Sequence, residues 1–286
     1  MRIVRRIPEL RSLVRSWRAQ RLTVSLVPTM GNLHEGHLAL VKVAREHGDR
    51  VVTSLFVNPT QFGAGEDYAT YPQSLEIDCA QLRALAVDAV FAPAVQEMYP
   101  AGIMGHTQVD VPALSGILCG AFRPGHFTGV ATVVAKLLNV VQPDSAVFGR
   151  KDYQQLLVIR RLVADLDLPV RVIGMPTVRE PDGLARSSRN AYLKPSQRAL
   201  APELFRTLTA LRQALFEGES NFRLLEARGS KMLMDAGMRP EYVAIRRGAD
   251  LREPCRDDLE LVVLAAAWLG EARLIDNVEV SLNRCG

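Results

Sequence analysis

The stretch Val27 to His37, which reads VPTMGNLHEGH, lies between an apolar run that predicts a strand and a pattern that predicts a helix. Its spacing Gly31-x-x-x-x-Gly36 matches a Walker A phosphate loop, but His37 and Leu38 stand where Lys and Ser or Thr are required. The Gly-x-Gly-x-x-Gly pattern is also absent from this stretch, which counts against a nicotinamide or flavin site. What remains is a glycine-containing corner between a strand and a helix.

The two histidines of this corner favour phosphate binding. Free backbone N–H groups and the helix dipole attract an anion to a helix N-terminus, and imidazoles that can be protonated strengthen that preference. Two alternatives are a pair of capping or exposed histidines and a metal site built on His34 and His37. The metal alternative lacks further ligands, because only His47, His106 and His126 remain in the sequence and no cysteine clusters with them.

Strand-length apolar runs alternate with helical patterns across residues 1–175, which predicts an α/β fold with a Rossmann-like parallel sheet. The predicted strands are Leu22–Val27, Val51–Val57, Ala89–Ala92, Ala146–Phe148 and Val170–Ile173. The predicted helices are Leu38–His47, Leu75–Ala86, Val130–Val141 and Tyr153–Ala164.

The pattern changes after Pro176, which predicts a smaller α+β C-terminal domain over residues 176–286. Pro181-Asp182-Gly183 is a turn signal between short extended runs. Two predicted helices and three β-rich runs follow: Ala199–Phe216, Phe222–Asp235, Tyr242–Ile245, Leu259–Leu264 and Ala272–Val280.

The basic charge of the chain is concentrated at its start. The net charge is +4, yet residues 1–21 carry seven arginines against Glu9 alone, so the remaining residues sum to −2. Such a segment could be an organelle transit peptide. However, Ile7, Leu10, Val14 and Trp17 recur at spacings of three and four, which favours a helix with an apolar stripe and a solvated arginine face. Aromatic residues make up 6% of the chain, so a nucleic-acid partner is not expected.

The sequence also argues against a membrane protein and a disulfide framework. The longest apolar run, Leu261–Leu269, is far shorter than the roughly 18 residues that a membrane helix needs. The four cysteines show no Cys-x-x-Cys pairing, which suits a reducing cytoplasm.

Five segments together carry a resemblance to a known family. In chain order they are VPTMGNLHEGHLALV (27–41), SLFVNPTQFGAGEDYATYP (54–72), RPGHFTGVATVVAKLLNVVQPD (123–144), FGRKDYQQLLVIRRLV (148–163) and DGLARSSRNAYL (182–193). The first contains the His-x-Gly-His motif of a superfamily of adenylyl-transferring enzymes that includes class I aminoacyl-tRNA synthetases. All five, in this order and spacing, resemble the pantothenate synthetase (pantoate:β-alanine ligase) family. The resemblance is weaker beyond Leu193.

The resemblance implies an enzyme that joins (R)-pantoate to β-alanine with ATP and Mg²⁺. The reaction would pass through an enzyme-bound pantoyl adenylate, with loss of pyrophosphate and then AMP. No Ser-His-Asp or Cys-His arrangement stands out in the sequence, which agrees with a scheme that needs no enzyme nucleophile. The resemblance also implies a homodimer, and the cysteine usage suits a cytoplasmic location.

The same resemblance assigns the ATP site. Its phosphate ligands would be His34, His37 and Lys151, with His37 as the proton donor. Asp152 would meet the ribose or orient Lys151, Val178 would lie beside adenine, and Ser187 to Arg189 would close over the triphosphate. The full implied set is Met30, Gly31, Asn32, Leu33, His34, Glu35, Gly36, His37, Gly149, Arg150, Lys151, Asp152, Val178, Arg186, Ser187, Ser188 and Arg189.

The remaining assignments concern pantoate, β-alanine and the metal. Gln61 and Gln155 match the pantoate-binding glutamines of the family, and Gln61 would also contact β-alanine. A neutral amide holds a carboxylate without blunting it as a nucleophile. Asp78 and Gln81, one helical turn apart, are the candidate Mg²⁺ ligands.

Two residues depart from the family pattern, which commonly has an acidic residue at Arg150 and an apolar one at Arg186. If their side chains face the nucleotide, ATP affinity and its salt dependence would change. The alternative function is transfer of a nucleotidyl group to a phosphorylated acceptor by the same superfamily. Such an acceptor would require Arg or Lys in place of Gln61 and Gln155.

Overall fold

The computed structural model describes residues 1–63 and 65–282. The chain forms two compact units, one of residues 1–150 and 158–176 and the other of residues 151–157 and 177–286. The main division falls between Pro176 and Thr177. Residues 151–157 group with the C-terminal unit, a detail that the strand and helix pattern does not predict. The Lys151 carbonyl and the Tyr153 hydroxyl both form hydrogen bonds with residues of that unit.

The first unit contains a six-stranded sheet of order β1-β4-β3-β2-β5-β6, in which every strand pair is parallel. The α/β class with a parallel sheet is therefore confirmed. The sequence pattern does not predict β1, because it is a three-residue edge strand whose first two residues are exposed and so lacks an apolar run. The strands are β1 Arg2–Val4, β2 Val24–Thr29, β3 Arg50–Leu55, β4 Ala89–Phe91, β5 Ser145–Gly149 and β6 Arg171–Met175.

Helices follow the strands as predicted, and the arginine-rich segment forms the first of them. Its apolar residues Leu10, Val14 and Trp17 are buried, so the predicted stripe is confirmed. The helices up to residue 165 are α1 Ile7–Ala19, α2 Glu35–Glu46, α3 Leu75–Ala84, α4 Val95–Met98, α5 Pro112–Ser115, α6 Cys119–Phe122, α7 His126–Val141 and α8 Tyr153–Asp165. Short 3₁₀ turns span Pro59–Gln61 and Arg150–Asp152.

The second unit has an antiparallel sheet of order β7-β8-β9, formed by Arg239–Arg247, Glu260–Leu269 and Ala272–Ser281. Helices α10 (Glu203–Phe216) and α11 (Phe222–Asp235) contribute apolar residues to a core with this sheet. The prediction of a single helix over Ala199–Phe216 is wrong. A short helix α9 (Pro195–Leu200) ends before Pro202, whose ring and missing N–H interrupt the hydrogen-bond ladder. A 3₁₀ turn spans Ser188–Tyr192.

No helix in residues 1–63 and 65–282 combines the length and hydropathy needed to cross a bilayer. Cys79 and Cys119 are buried, and Cys255 is exposed.

Candidate active site

The corner from Met30 to His37 lies at the point where the order of the parallel sheet reverses. β2 pairs with β3 on one side and with β5 on the other. Strands β3 and β4 lie on one side of β2, and the later strands β5 and β6 lie on its other side. Open α/β sheets bind ligands beyond the carboxyl ends of their strands at such a point. The corner follows β2, and Gly149 ends β5 at the same edge.

His34 and His37 cap helix α2. His34 is the N-cap residue, and its Nδ1 accepts a hydrogen bond from the Gly36 N–H at 3.1 Å. The His34 N–H in turn donates to His37 Nδ1 at 3.4 Å. The two rings lie 4.1 Å apart between centroids. The capping alternative is thus correct, and it is compatible with phosphate binding.

These hydrogen bonds select a tautomer for each ring. A nitrogen that accepts a hydrogen bond carries no proton, so the proton of each neutral imidazole lies on Nε2. The capping bonds therefore orient both rings through Nδ1 and make Nε2 the donor atom of each. An Nε2–H group can donate to an oxygen of a bound anion.

Asp78 fixes the backbone of the corner. Its carboxylate accepts hydrogen bonds from the N–H groups of Asn32 and Leu33, both at 2.9 Å, and from the Ser74 hydroxyl at 3.1 Å. Gly31 and Asn32 adopt positive φ values of 84° and 50°. Successive N–H groups in such a conformation form a concave anion site, and here the buried carboxylate of Asp78 occupies it.

The Mg²⁺ prediction rests on Asp78 and Gln81, which stand one turn apart on α3. Within the described ranges, no three His, Cys, Asp or Glu side chains converge where they could hold a metal ion. Gln81 Oε1 is buried and has no hydrogen-bond partner in that part of the chain. This amide oxygen therefore fits a cation or an ordered water, whereas the Asp78 oxygens already accept three hydrogen bonds.

Gln61 stands beside the corner with its amide oriented by Asn58. Asn58 Nδ2 donates to Gln61 Oε1 at 3.2 Å and to the Gly129 carbonyl at 3.1 Å. The Gln61 oxygen is thus directed toward Asn58, and its Nε2 lies 3.1 Å from Met30 Sδ. A neutral amide donor therefore adjoins the first residue of the corner.

Further residues support Gln61. The Tyr99 hydroxyl donates to Asn58 Oδ1 at 2.8 Å, and burial raises the pKa of Tyr99, which keeps this donor protonated. His126 Nδ1 contacts the Gln61 carbonyl at 2.8 Å.

Arg123 forms an ion pair with Glu66. Burial of Glu66 raises its pKa, but the hydrogen bond and charge of Arg123 outweigh that effect and lower the pKa of Glu66 overall.

Lys151 belongs to the second unit and is half-buried in the 3₁₀ turn before α8. Its Nζ lies 3.9 Å from Asp152 Oδ1, so the pair is adjacent without a close hydrogen bond. Ser187 and Lys151 line the same small cavity with Asn190 and Asp276. The structure therefore brings two of the predicted ATP-binding segments together within this unit.

The segment from Ser187 to Arg189 is held by its own hydrogen bonds. The Ser187 hydroxyl caps the turn by accepting from the Arg189 N–H at 3.3 Å. The Val178 carbonyl accepts a hydrogen bond from the Arg186 N–H at 2.9 Å.

Gln155, the second predicted pantoate ligand, is half-buried in the first turn of α8.

Both unusual arginines are engaged inside their own units. Arg186 forms an ion pair with Glu180 at 3.0 Å, and Arg150 Nε donates to the Gly174 carbonyl at 3.1 Å. The Glu180 carboxylate offsets the charge of Arg186, and the hydrogen bond to the Gly174 carbonyl orients the side chain of Arg150.

Sequence reasoning missed Asn58 and Asn277, whose amides hold Gln61 and Lys151 respectively. Asn58 precedes Pro59, and an Asn-Pro pair signals a turn, so attention to turn chemistry would have found it. Asn277 lies in an ordinary strand pattern 126 residues from its partner. No local signal in the sequence marks it.

Comparisons with known proteins identify a family that this chain resembles over nearly its whole length. A family profile described as pantoate-beta-alanine ligase matches residues 2–279. The pantothenate synthetase of Alkalilimnicola ehrlichii is 58% identical over 284 residues, which covers 99% of each chain. That of Thioalkalivibrio sulfidiphilus is 58% identical over 270 residues, which covers 94% of each chain.

Two solved structures are also similar. Pantothenate synthetase from Thermus thermophilus has a TM-score of 0.91 and 49% identity, covering 98% of this chain and 100% of its own. Pantoate-beta-alanine ligase from Francisella tularensis, described as a complex with beta-gamma ATP and beta-alanine, has a TM-score of 0.80 and 34% identity over 97% of each chain.

Proposed function

Because the chain belongs to the pantoate-beta-alanine ligase family and catalyses ATP-dependent formation of pantothenate, we propose that its reaction passes through pantoyl adenylate. The carboxylate of (R)-pantoate attacks the α-phosphorus of ATP, and pyrophosphate leaves. The amine of β-alanine then attacks the activated carbonyl carbon, and AMP leaves. Adenylation is required because an unactivated carboxylate offers an amine no good leaving group.

The phosphate ligands in this proposal are His34, His37 and Lys151. Phosphoryl transfer depends mainly on positioning the reactants and stabilising charge on the phosphate oxygens. Imidazole Nε2–H groups and an ammonium supply that stabilisation. His37, which the resemblance implies as the proton donor, is proposed to donate its Nε2–H to a phosphate oxygen as a hydrogen bond. Its Nδ1 accepts from the His34 N–H, which keeps the proton on Nε2.

The proposed pantoate ligands are Gln61 and Gln155. The observation that carries the proposal is the neutral amide of Gln61, which lies 3.1 Å from Met30 of the corner and is oriented by Asn58. A carboxylate held there would adjoin the corner whose histidines are the proposed phosphate ligands. Because the amide is uncharged, the carboxylate would keep its nucleophilicity. A phosphorylated acceptor would instead call for a cation at this position.

Mg²⁺ would neutralise charge on the polyphosphate when bound. We propose that the phosphates of ATP supply most of its ligands and that Gln81 Oε1, a buried oxygen without a partner among the described residues, is the protein ligand. Asp78, the other predicted ligand, already accepts three hydrogen bonds, and Mg²⁺ binding by Asp78 is the alternative that the Asp78→Asn variant tests. A homodimer and a cytoplasmic location likewise stay proposals, and light scattering of the purified protein tests the first.

The experiment is a pre-steady-state assay with enzyme at high concentration, excess ATP, Mg²⁺ and excess pantoate but no β-alanine. We expect a burst of pyrophosphate close to one per active site, followed by a much slower phase, because the bound adenylate is shielded from water. Later addition of β-alanine should discharge it to pantothenate and AMP. A carboxylic acid without the pantoate hydroxyls is the control and should give no burst. Pyrophosphate release that needs β-alanine would contradict the proposal.

A further inference from the structure

Asn277 holds the main chain at Lys151. Its Nδ2 donates to the Lys151 carbonyl at 2.9 Å, and its side chain lies at a buried position of β9. An amide buried in a strand costs free energy unless it is hydrogen-bonded. The contact with Lys151 meets that requirement. This hydrogen bond also connects the 3₁₀ turn that contains Lys151 to the antiparallel sheet.

A buried ion pair fixes Asn277 in turn. Asp276 Oδ1 accepts from the Asn277 N–H at 2.8 Å, and the Asp276 carboxylate accepts two hydrogen bonds from Arg179 at 2.6 and 3.0 Å. Arg179 also donates to the Asn277 carbonyl at 3.3 Å. Its guanidinium stacks on the ring of Phe205, 3.7 Å from the centroid. Such a bidentate, stacked arginine has little freedom to move.

The turn that carries Lys151 has a second anchor in the same unit. The Tyr153 hydroxyl donates to the Gly248 carbonyl at 2.9 Å. The Lys151 ammonium itself approaches Asp152 Oδ1 at 3.9 Å, which is too far for a hydrogen bond. The direction of the ammonium therefore depends on how the lysine's backbone is held.

We propose that Asn277 is a positioning residue for adenylation, acting through Lys151. The Arg179–Asp276 pair holds the backbone of Asn277, and the side-chain amide of Asn277 holds the Lys151 backbone from which the ammonium reaches the phosphates. This inference rests on the proposed role of Lys151 in the first half-reaction. Precise placement of a charged group matters because a transition-state contact loses much of its value when its geometry relaxes.

A double-mutant cycle tests the inference. The variants are Asn277→Ala, Lys151→Ala and the double variant, and the measured rate is pantoate-dependent exchange of labelled pyrophosphate into ATP. We expect a loss of about tenfold for Asn277→Ala and roughly a hundredfold for Lys151→Ala. The double variant should match Lys151→Ala within about twofold, since the amide has nothing left to position. Multiplied losses would overturn the inference, and a normal rate for Lys151→Ala would instead remove the proposed role of the lysine.

The second half-reaction separates positioning from packing. Discharge of supplied pantoyl adenylate by β-alanine should change by less than about twofold in Asn277→Ala, because the triphosphate contacts are not used there. Asn277→Asp keeps the side-chain volume and loses the donor, so it should repeat the loss in exchange. Asn139→Ala removes an exposed amide that donates to the Ala135 carbonyl at 3.0 Å and serves as the control with normal rates. Equal loss of both half-reactions in the Asn277 variants would assign Asn277 to folding alone and overturn the inference.

Discussion

Asp78 shows how one buried carboxylate can fix the backbone of a loop. Its three hydrogen bonds hold Asn32 and Leu33 in a conformation that the positive φ of Gly31 begins. A Cβ at Gly31 would lie 3.1 Å from Asp78 Oδ2, so the glycine also makes room for the carboxylate. The geometry of the corner therefore depends on both residues.

Asp78→Asn should weaken ATP binding. The amide can accept from one of the two N–H groups but presents an N–H₂ to the other, and losing a charged acceptor costs about 1–3 kcal/mol. We expect the KM for ATP to rise about tenfold, while the Mg²⁺ concentration for half-maximal rate at saturating ATP stays unchanged. Glu76→Gln, an exposed acid-to-amide change on the same helix, is the control. A raised Mg²⁺ requirement with a normal KM for ATP would assign Asp78 to the metal.

Gln155→Ala should raise the KM for pantoate by about tenfold or more and that for ATP by less than about twofold, since its amide is proposed to contact pantoate alone. Steady-state kinetics with each substrate varied in turn measure both constants. Gln213→Ala removes an exposed amide from α10 and is the matched control. Equal effects on the two constants would remove Gln155 from the pantoate site.

At the scale of elements, α7 positions the turn that bears Gln61. A Cβ at Gly129 would lie 2.3 Å from the Thr60 carbonyl oxygen and 2.7 Å from the Gln61 nitrogen, so only glycine allows the helix and the turn to approach. The Gly129 carbonyl also accepts from Asn58. The helix thus supports the turn through both shape and hydrogen bonding.

Gly129→Ala should displace this turn and destabilise the protein by about 1–3 kcal/mol through overpacking. We expect the KM for pantoate to rise more than the KM for ATP, together with a lower melting temperature. Gly116→Ala is the control, because a Cβ there meets no atom within 4 Å. A Gly129→Ala enzyme with normal stability and a normal KM for pantoate would show that the turn tolerates displacement.

The elements that sequence reasoning predicts well are those with long apolar periodicity. Helix α11 has the predicted bounds Phe222–Asp235. Strand β1 is not predicted because a three-residue edge strand is too short to show alternation of apolar and polar residues. Helices α9 and α10 are predicted as one helix because the apolar pattern continues past Pro202. Local patterns carry element type more reliably than element ends.

At the scale of the whole molecule, the sequence predicts two regions and the parallel sheet of the first. The corner histidines and Gln61 can be found because their motifs are contiguous in the chain. The network from Arg179 through Asp276 and Asn277 to Lys151 cannot, because it joins residues far apart in sequence whose types are ordinary in isolation. Tertiary hydrogen bonding creates that part of the candidate site, and no spacing rule encodes it.

Pantoyl adenylate is proposed to form on the enzyme as a separable intermediate before β-alanine reacts. The most direct measurement is exchange of labelled pyrophosphate into ATP by the purified enzyme with Mg²⁺. We predict rapid exchange when pantoate is present and β-alanine is absent, and none when pantoate is omitted, because only reversible adenylation returns the label to ATP. Exchange that appears only when all three substrates are present would exclude a separable enzyme-bound adenylate. The reaction would then have to be concerted, within a complex of the enzyme with all three substrates.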